Sequence, residues 1–376
     1  METIERILQK KIEQRLRPNK AVLLYGARRV GKTILAKAIA QHFSGKVLSL
    51  NGEDLDVQEM LSTRTIANYR NLFTGIDLLI LDEAQNISNI GLAIKLIIDE
   101  IEGITVLATG SSSFDLQNNA GEPLVGRATQ VTLTPFSQHE IQQQESAIDT
   151  RGNLESRLIY GSYPEVTLMT NNDDRAEYLR GLIDSYLLKD ILSIDGLRNT
   201  AKMKRLLQLI AFQMGSEVSY DELGRQLGLN RDTVEKYLNL LQQVFVIYRL
   251  GAFSKNLRKE VSKAGKWYFI DNGVRNAIIG NFHPLTQRND AGALWENYLI
   301  SERLKSNFNN LGHDGHYFWR TYDQQEIDLV IDRDGSIGAY EFKWGKKTPK
   351  MPRAFATGYP DATYQVISPE NYLEFI

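Results

Sequence analysis

The stretch Gly26-Ala27-Arg28-Arg29-Val30-Gly31-Lys32-Thr33 constrains this chain more than any other feature. It follows the apolar run "AVLLYG" (21–26) and opens a helical pattern. Its two glycines let the backbone wrap until several N–H groups point inward, and a helix starting there adds the positive end of its dipole. Lys32 is then placed to reach the outer phosphates of a nucleotide, and the Thr33 hydroxyl to ligate Mg²⁺. By average residue usage the pattern arises by chance in on the order of one chain in a hundred of this length, before its flanks are counted.

Between residues 20 and 135 further apolar runs alternate with helical patterns: "KVLSLN" (46–51), "DLLILDE" (77–83), "ITVLATG" (104–110) and "TQVTLT" (129–134). Such alternation predicts an α/β fold with a mostly parallel sheet covered by helices on both faces. "DLLILDE" ends in two acids, which a buried parallel strand tolerates only where they meet a cation or water at the sheet edge. Asp82 is placed to hold Mg²⁺ and Glu83 to act as general base on the attacking water. "ATGSS" (108–112) ends the next strand, where a hydroxyl can sense the outermost phosphate; Ser111 is the candidate, and a serine-rich turn is the bland counterpart. Arg127 finds no obvious partner in its own block, so it is a candidate arginine finger reaching a neighbouring subunit's ATP, which would require a homo-oligomer. A solvated arginine is the plain alternative.

A chain of 376 residues is too long for one ordinary core. After "TPFS" (134–137), helical patterns run to about residue 190, interrupted by "YGSYPE" (160–165). "SYDELGRQLGLNRDTVEKYLNLLQQV" gives a short helix, a turn at Gly228 and a longer helix from Asn230, followed by the strand-like "FVIYRL". That is the shape of a winged helix-turn-helix, over 199–253, and Asn230, Arg231, Thr233, Lys236 and Tyr237 would face a groove if DNA binds. Packing between larger domains is an equally simple role for it. The net charge of −2 provides no global pull toward nucleic acid, so local basic patches at 254–266 and 343–353 must supply any phosphate contacts. The absence of cysteine excludes disulfides and thiolate-bound metals and fits a reducing compartment. With no signal peptide or membrane-length apolar run in the sequence, a cytoplasmic protein without membrane partners is expected.

In the last block an amphipathic helix, "GALWENYLISERLKSN", precedes the strand candidates "HYFWRT", "EIDLVID" and "IGAYEFKW", a weak helix and a last strand, "TYQVIS". On this αβββαβ layout Glu296, Asp328, Glu341 and Lys343 can converge, because side chains two apart on a strand share a face. A Glu-x-Lys triplet alone means little, since about one is expected by chance in a chain this long. Gathered together, the four residues make a candidate site for metal-assisted phosphodiester hydrolysis. Asp328 and Glu341 would bind Mg²⁺ or Mn²⁺, Lys343 would orient or deprotonate the water, and Glu296 would complete the shell or hold a second metal. Ion pairing of Glu341 with Lys343 and solvation of Glu296 form the structural alternative.

With "YGARRVGKT" and "ILDEAQ" in these positions, nearly the whole chain resembles the bacterial and archaeal AAA+ ATPases that carry a C-terminal DUF4143-type domain. The resemblance implies ATP binding and hydrolysis in a five-stranded αβα core (1–135), a helical lid (136–198), a winged helix (199–253) and a C-terminal domain similar to the PD-(D/E)XK, restriction-endonuclease-like fold (254–376). It assigns Glu296, Asp328, Glu341 and Lys343 the roles given above. It names no substrate. Three readings follow: an ATPase acting on DNA or RNA, a regulatory nucleotide switch whose C-terminal domain is a protein-binding scaffold, and an ATP-controlled metal-dependent nuclease.

Overall fold

The computed structural model describes residues 4–111, 124–184, 200–254 and 265–376. Contacts divide the described residues into two compact units: 4–111 and 124–136 with 243–245, and 137–184 with 200–242, 246–254 and 265–376.

The first unit is built on a five-stranded sheet in the order β2-β3-β4-β1-β5, with strands at Lys20–Tyr25, Val47–Asn51, Leu78–Asp82, Thr105–Gly110 and Ala128–Thr132 in chain order. Every pairing in it is parallel. Strands β1, β3 and β4 are buried almost throughout, which is why their sequences read as continuous apolar runs rather than alternations. The helix Ile90–Glu100 buries Ile90, Ala93, Ile94, Ile97 and Ile98 against that sheet's core, at the 3–4 residue spacing of one helical face. Because all five strands run the same way, their carboxyl ends line one edge, and the Gly26–Thr33 loop lies there.

The second unit holds a six-stranded sheet in the order β11-β10-β9-β8-β6-β7. Its strands are β6 Ile247–Ala252, β7 Lys266–Phe269, β8 Gly315–Arg320, β9 Glu326–Arg333, β10 Ser336–Phe342 and β11 Thr363–Ile367. The helix Ala291–Asn310 and the elements after it follow the αβββαβ order, with the weak helix at Arg353–Gly358. The helices Tyr220–Leu227 and Arg231–Gln243, turning at Gly228, lead into the antiparallel β6–β7 hairpin. β6 also pairs in parallel with β8, so the hairpin extends the C-terminal sheet instead of closing a separate domain.

The segment expected as a lid likewise does not stand alone: its described part belongs to the second unit. A buried polar network explains this grouping. Asp271 Oδ2 accepts from Ser162 N at 2.7 Å, Lys305 Nζ donates to Ser162 Oγ at 2.9 Å, and Glu302 Oε2 accepts from Gln138 N at 2.7 Å. Gly161 sits at φ 72° where a Cβ would strike the Asp271 carboxyl, so the glycine of "YGSYPE" is demanded by close approach. Groups this deeply buried are costly unless mutually satisfied, and separating the two segments would orphan them together.

Candidate functional sites

Gly31, at φ 98°, caps the helix Lys32–His42, leaving that helix's first N–H groups facing the loop. Gly26 is fixed by its neighbour, since a Cβ there would strike the Leu133 carbonyl. Ala27 and Val30 are buried, Arg28 is half-buried, and Arg29 is exposed with φ 65°. Lys32 is 4% exposed, and its Nζ donates to the carbonyls of Gly26 and Ala27, each at 3.0 Å. The ammonium is thus drawn across the cradle by the loop's own oxygens.

Asp82 ends β3 beside this loop and both its oxygens are engaged. Thr33 Oγ1 donates to Oδ2 at 2.8 Å, and Thr109 Oγ1 donates to Oδ1 at 2.5 Å. Thr109 also accepts from Glu83 N at 3.1 Å. Among the hydroxyls of "ATGSS" it is therefore Thr109, rather than Ser111, that the structure brings to the acids; Ser111 is buried two residues further on and Ser112 lies outside the described residues. In the sheet register Thr109 pairs with Leu24, directly beside the loop. Glu83 adopts φ 47° and its Oε2 accepts from Gln85 Nε2 at 2.5 Å. Gly52, unremarked in the sequence, passes so close that a Cβ would press on the Glu83 carbonyl at 2.5 Å. These residues fit a nucleoside triphosphate with its cation: an N–H cradle, a buried ammonium, and a hydroxyl and carboxylate held at ligating separation.

Arg127 has a partner that the sequence did not disclose. Its Nε donates to Asp99 Oδ1 at 2.8 Å, both side chains being about a third exposed or slightly more, at 39% and 33%. It precedes β5, where Ala21 pairs with Ala128, so it lies at the amino edge of the sheet. That edge is roughly 17 Å from the loop, a strand of five residues at 3.3 Å each. Arg127 therefore cannot serve the ATP site of its own chain.

In the second unit, three strands each place an i, i+2 pair on one face: Lys266 and Tyr268 of β7, Glu326 and Asp328 of β9, and Glu341 with Lys343 at the end of β10. Glu296 reaches them from the Ala291–Asn310 helix, its Oε1 accepting from Tyr268 Oη at 2.6 Å. Lys266 Nζ pairs with Glu326 and stands 3.9 Å from Glu296 Oε1. Lys343 Nζ donates to Glu341 Oε1 at 2.6 Å, and Asp328 Oδ2 accepts from Phe342 N at 2.7 Å. The four expected residues are thus neighbours, and Lys266, Tyr268 and Glu326 join them. Burial, then the like charges of Glu296 and Glu341, push Asp328 up to about 8. Burial also raises Glu296, against the pull of Lys266 and Tyr268. Burial alone would lower the Lys266 ammonium, yet Glu296, Glu326 and Asp328 together hold it above its ordinary value.

Among the described residues no three carboxylate or imidazole groups stand together as a metal site. The groove-facing set is corrected: Tyr237 is buried in its unit's core, and Asn230 Oδ1 accepts from Thr233 N at 2.7 Å to cap its helix. The basic residues Lys255, Arg258, Lys259 and Lys263 lie outside the described residues. No described helix is long and apolar enough to cross a membrane.

Residues 18–142 match the family described as an AAA domain. This match covers the whole Gly26–Thr33 loop, Asp82, Glu83 and Thr109, and marks the region as a P-loop ATPase domain. Residues 151–285 match a domain of unknown function, DUF8612, and residues 291–372 match another, DUF4143. The boundary between those two matches falls just before the Ala291–Asn310 helix. A protein of Mycobacterium tuberculosis named as uncharacterized is 27% identical over 345 residues, covering 90% of this chain and 74% of that protein. A proteasome-associated ATPase of Thermobifida fusca is 24% identical over 280 residues, covering 72% of this chain and 45% of its own. The solved structure of a Walker-type ATPase of Pyrococcus abyssi aligns with a TM-score of 0.46 at 15% identity, covering 73% of this chain and 94% of that one.

Proposed function

We propose that the protein hydrolyses ATP with Mg²⁺ in its first unit and uses turnover to act on DNA or RNA through its second. Contact of Thr33 and Thr109 with the two oxygens of Asp82 carries the ATPase reading, since it wires loop, β3 and β4 into one cation-holding edge. In this reading the loop amides and Lys32 bind the phosphates, and Thr33 and Asp82 hold Mg²⁺. Glu83 takes the proton of the attacking water, and Arg127 acts in trans on a neighbouring copy. The nucleic-acid arm is supported by the helix-turn-helix order leading into a hairpin, with Arg231 and Lys236 exposed on its second helix.

A second reading, a nucleotide switch whose second unit holds a protein partner, is favoured by the pairing of the C-terminal carboxylates with protein cations. Phosphate release by the full chain, Lys32→Ala and Glu83→Gln, each with and without DNA and RNA across ionic strengths, tests both. Lys32→Ala should abolish turnover, and Glu83→Gln should abolish it while still binding ATP. Glu83→Gln hydrolysing normally would remove the base assignment. Turnover indifferent to any nucleic acid, with no salt-sensitive binding, would leave the switch reading standing alone.

A further inference from the structure

We infer that Lys266 is a built-in cation that occupies the charge position a divalent metal would take in the C-terminal carboxylate cluster and closes that cluster to metal. Lys266 is 2% exposed, although it lies on the terminal strand of the sheet. Its ammonium pairs with Glu326, stands 3.9 Å from Glu296 and lies 5.3 Å from the centre of the Phe318 ring. The hairpin pairing of Leu250 with Lys266 and Tyr248 with Tyr268 sets its backbone, so the ammonium is delivered from a fixed strand rather than a mobile loop.

A divalent cation of the Mg²⁺ or Mn²⁺ class needs several oxygens converging at about 2.1 Å in near-octahedral order. Here each of the three carboxylates already has one oxygen bound to an internal donor, and the ammonium of Lys266 supplies positive charge beside them. Glu296 takes the Tyr268 hydroxyl, Asp328 the Phe342 amide and Glu341 the Lys343 ammonium. A metal held by Glu296, Asp328 and Glu341 would meet, on the Glu296 side, a buried ammonium of the same sign at close range. Displacing that ammonium would strand it unpaired in the interior, a cost of several-fold more than an exposed pair is worth. The two cations therefore exclude one another. The cluster joins the β6–β7 hairpin to β9, β10 and the Ala291–Asn310 helix as a metal-free polar junction, and this role stands or falls independently of ATP hydrolysis.

The test is Mn²⁺ binding by the nucleotide-free full chain, followed by the paramagnetic resonance of free Mn²⁺, with Asp82→Asn present throughout to silence the loop's cation position. The Lys266 wild type should bind no Mn²⁺ that depends on Glu341. Lys266→Met, or Lys266→Gln if the apolar variant does not fold, should bind one Mn²⁺ per chain, lose it on adding Glu341→Gln, and melt at higher temperature with Mn²⁺. Stoichiometric, Glu341-dependent binding with Lys266 in place would overturn the inference. So would a folded Lys266→Gln chain that gains no binding.

Discussion

Thr33 Oγ1 donates to Asp82 Oδ2 at 2.8 Å, so the helix after the loop and the end of β3 meet before any cation joins them. A carboxylate fixed in this way contributes charge where the cation must sit and loses little order on binding it. Asp82→Asn keeps the shape and removes the charge. The Mg²⁺ concentration needed for half-maximal phosphate release should rise about 10- to 100-fold, the range typical of weakened metal support. A magnesium titration at fixed ATP reads this directly, and an unshifted midpoint would mean that Asp82 does not hold the cation.

Thr109 bridges the two acids, donating to Asp82 and accepting from Glu83 N. Thr109→Val preserves volume and β-branching but breaks both links. Turnover should fall by roughly 10²-fold, the scale of a misplaced general base, with ATP affinity little changed. Ser111→Ala should leave turnover near wild type. The reverse ranking of the two variants would restore Ser111 as the sensing hydroxyl.

Arg127 and Asp99 form an exposed pair, which contributes little to stability by itself. The Asp99 carboxylate holds the Arg127 guanidinium above its ordinary value through hydrogen bond and charge, so the arginine stays cationic at every working pH. If Arg127 serves a neighbouring copy, specific ATPase activity should climb with protein concentration, and Arg127→Ala should abolish the climb without altering the melting temperature. Asp99→Ala should retain the climb. Activity independent of concentration in wild type would exclude the trans role.

Much of the nucleotide site could be read in the sequence because its parts are local: the loop is one contiguous octapeptide, and Asp82 ends an unbroken apolar run. Thr109 was overlooked within its own motif because its role depends on which strands are neighbours, and the β3-β4-β1 order is not a local property. Asp99 was missed for the same reason, lying 28 residues from Arg127. Lys266 and Tyr268 obey the same i, i+2 rule that singled out Glu341 and Lys343, interrupting "KWYF" as those interrupt "AYEFKW". What hid them was strand pairing: β7 reaches the C-terminal sheet only through β6, which pairs with β8, and no local pattern announces that order. The same holds for the helical segment 136–184: nothing local says that Ser162 and Gln138 are held by Asp271, Lys305 and Glu302, more than 100 residues away.

His316, on β8, is 8% exposed, and burial, then Arg303 and more weakly Arg333, lower its pKa to about 4 against an opposing pull from Asp314. The folded chain thus keeps this imidazole neutral where the unfolded chain protonates it near pH 6.5. Between those two values the unfolded state binds the extra proton, so this group's contribution is complete above pH 6.5 and is lost as pH falls toward 4. The full difference amounts to about 3 kcal/mol at 1.36 kcal/mol per unit. Asp314 pairs with Arg333 at 2.6 Å and is held below its usual range, so it stays charged across most of the window and does not mimic the effect. His316→Phe keeps an aromatic ring on the buried face and cannot titrate. Urea unfolding of the second unit should show wild type losing stability steeply from pH 6.5 to 4.5 and the variant much less, with their curves converging in slope above pH 7. Parallel acid profiles for the two proteins would show that His316 is not kept neutral by the fold.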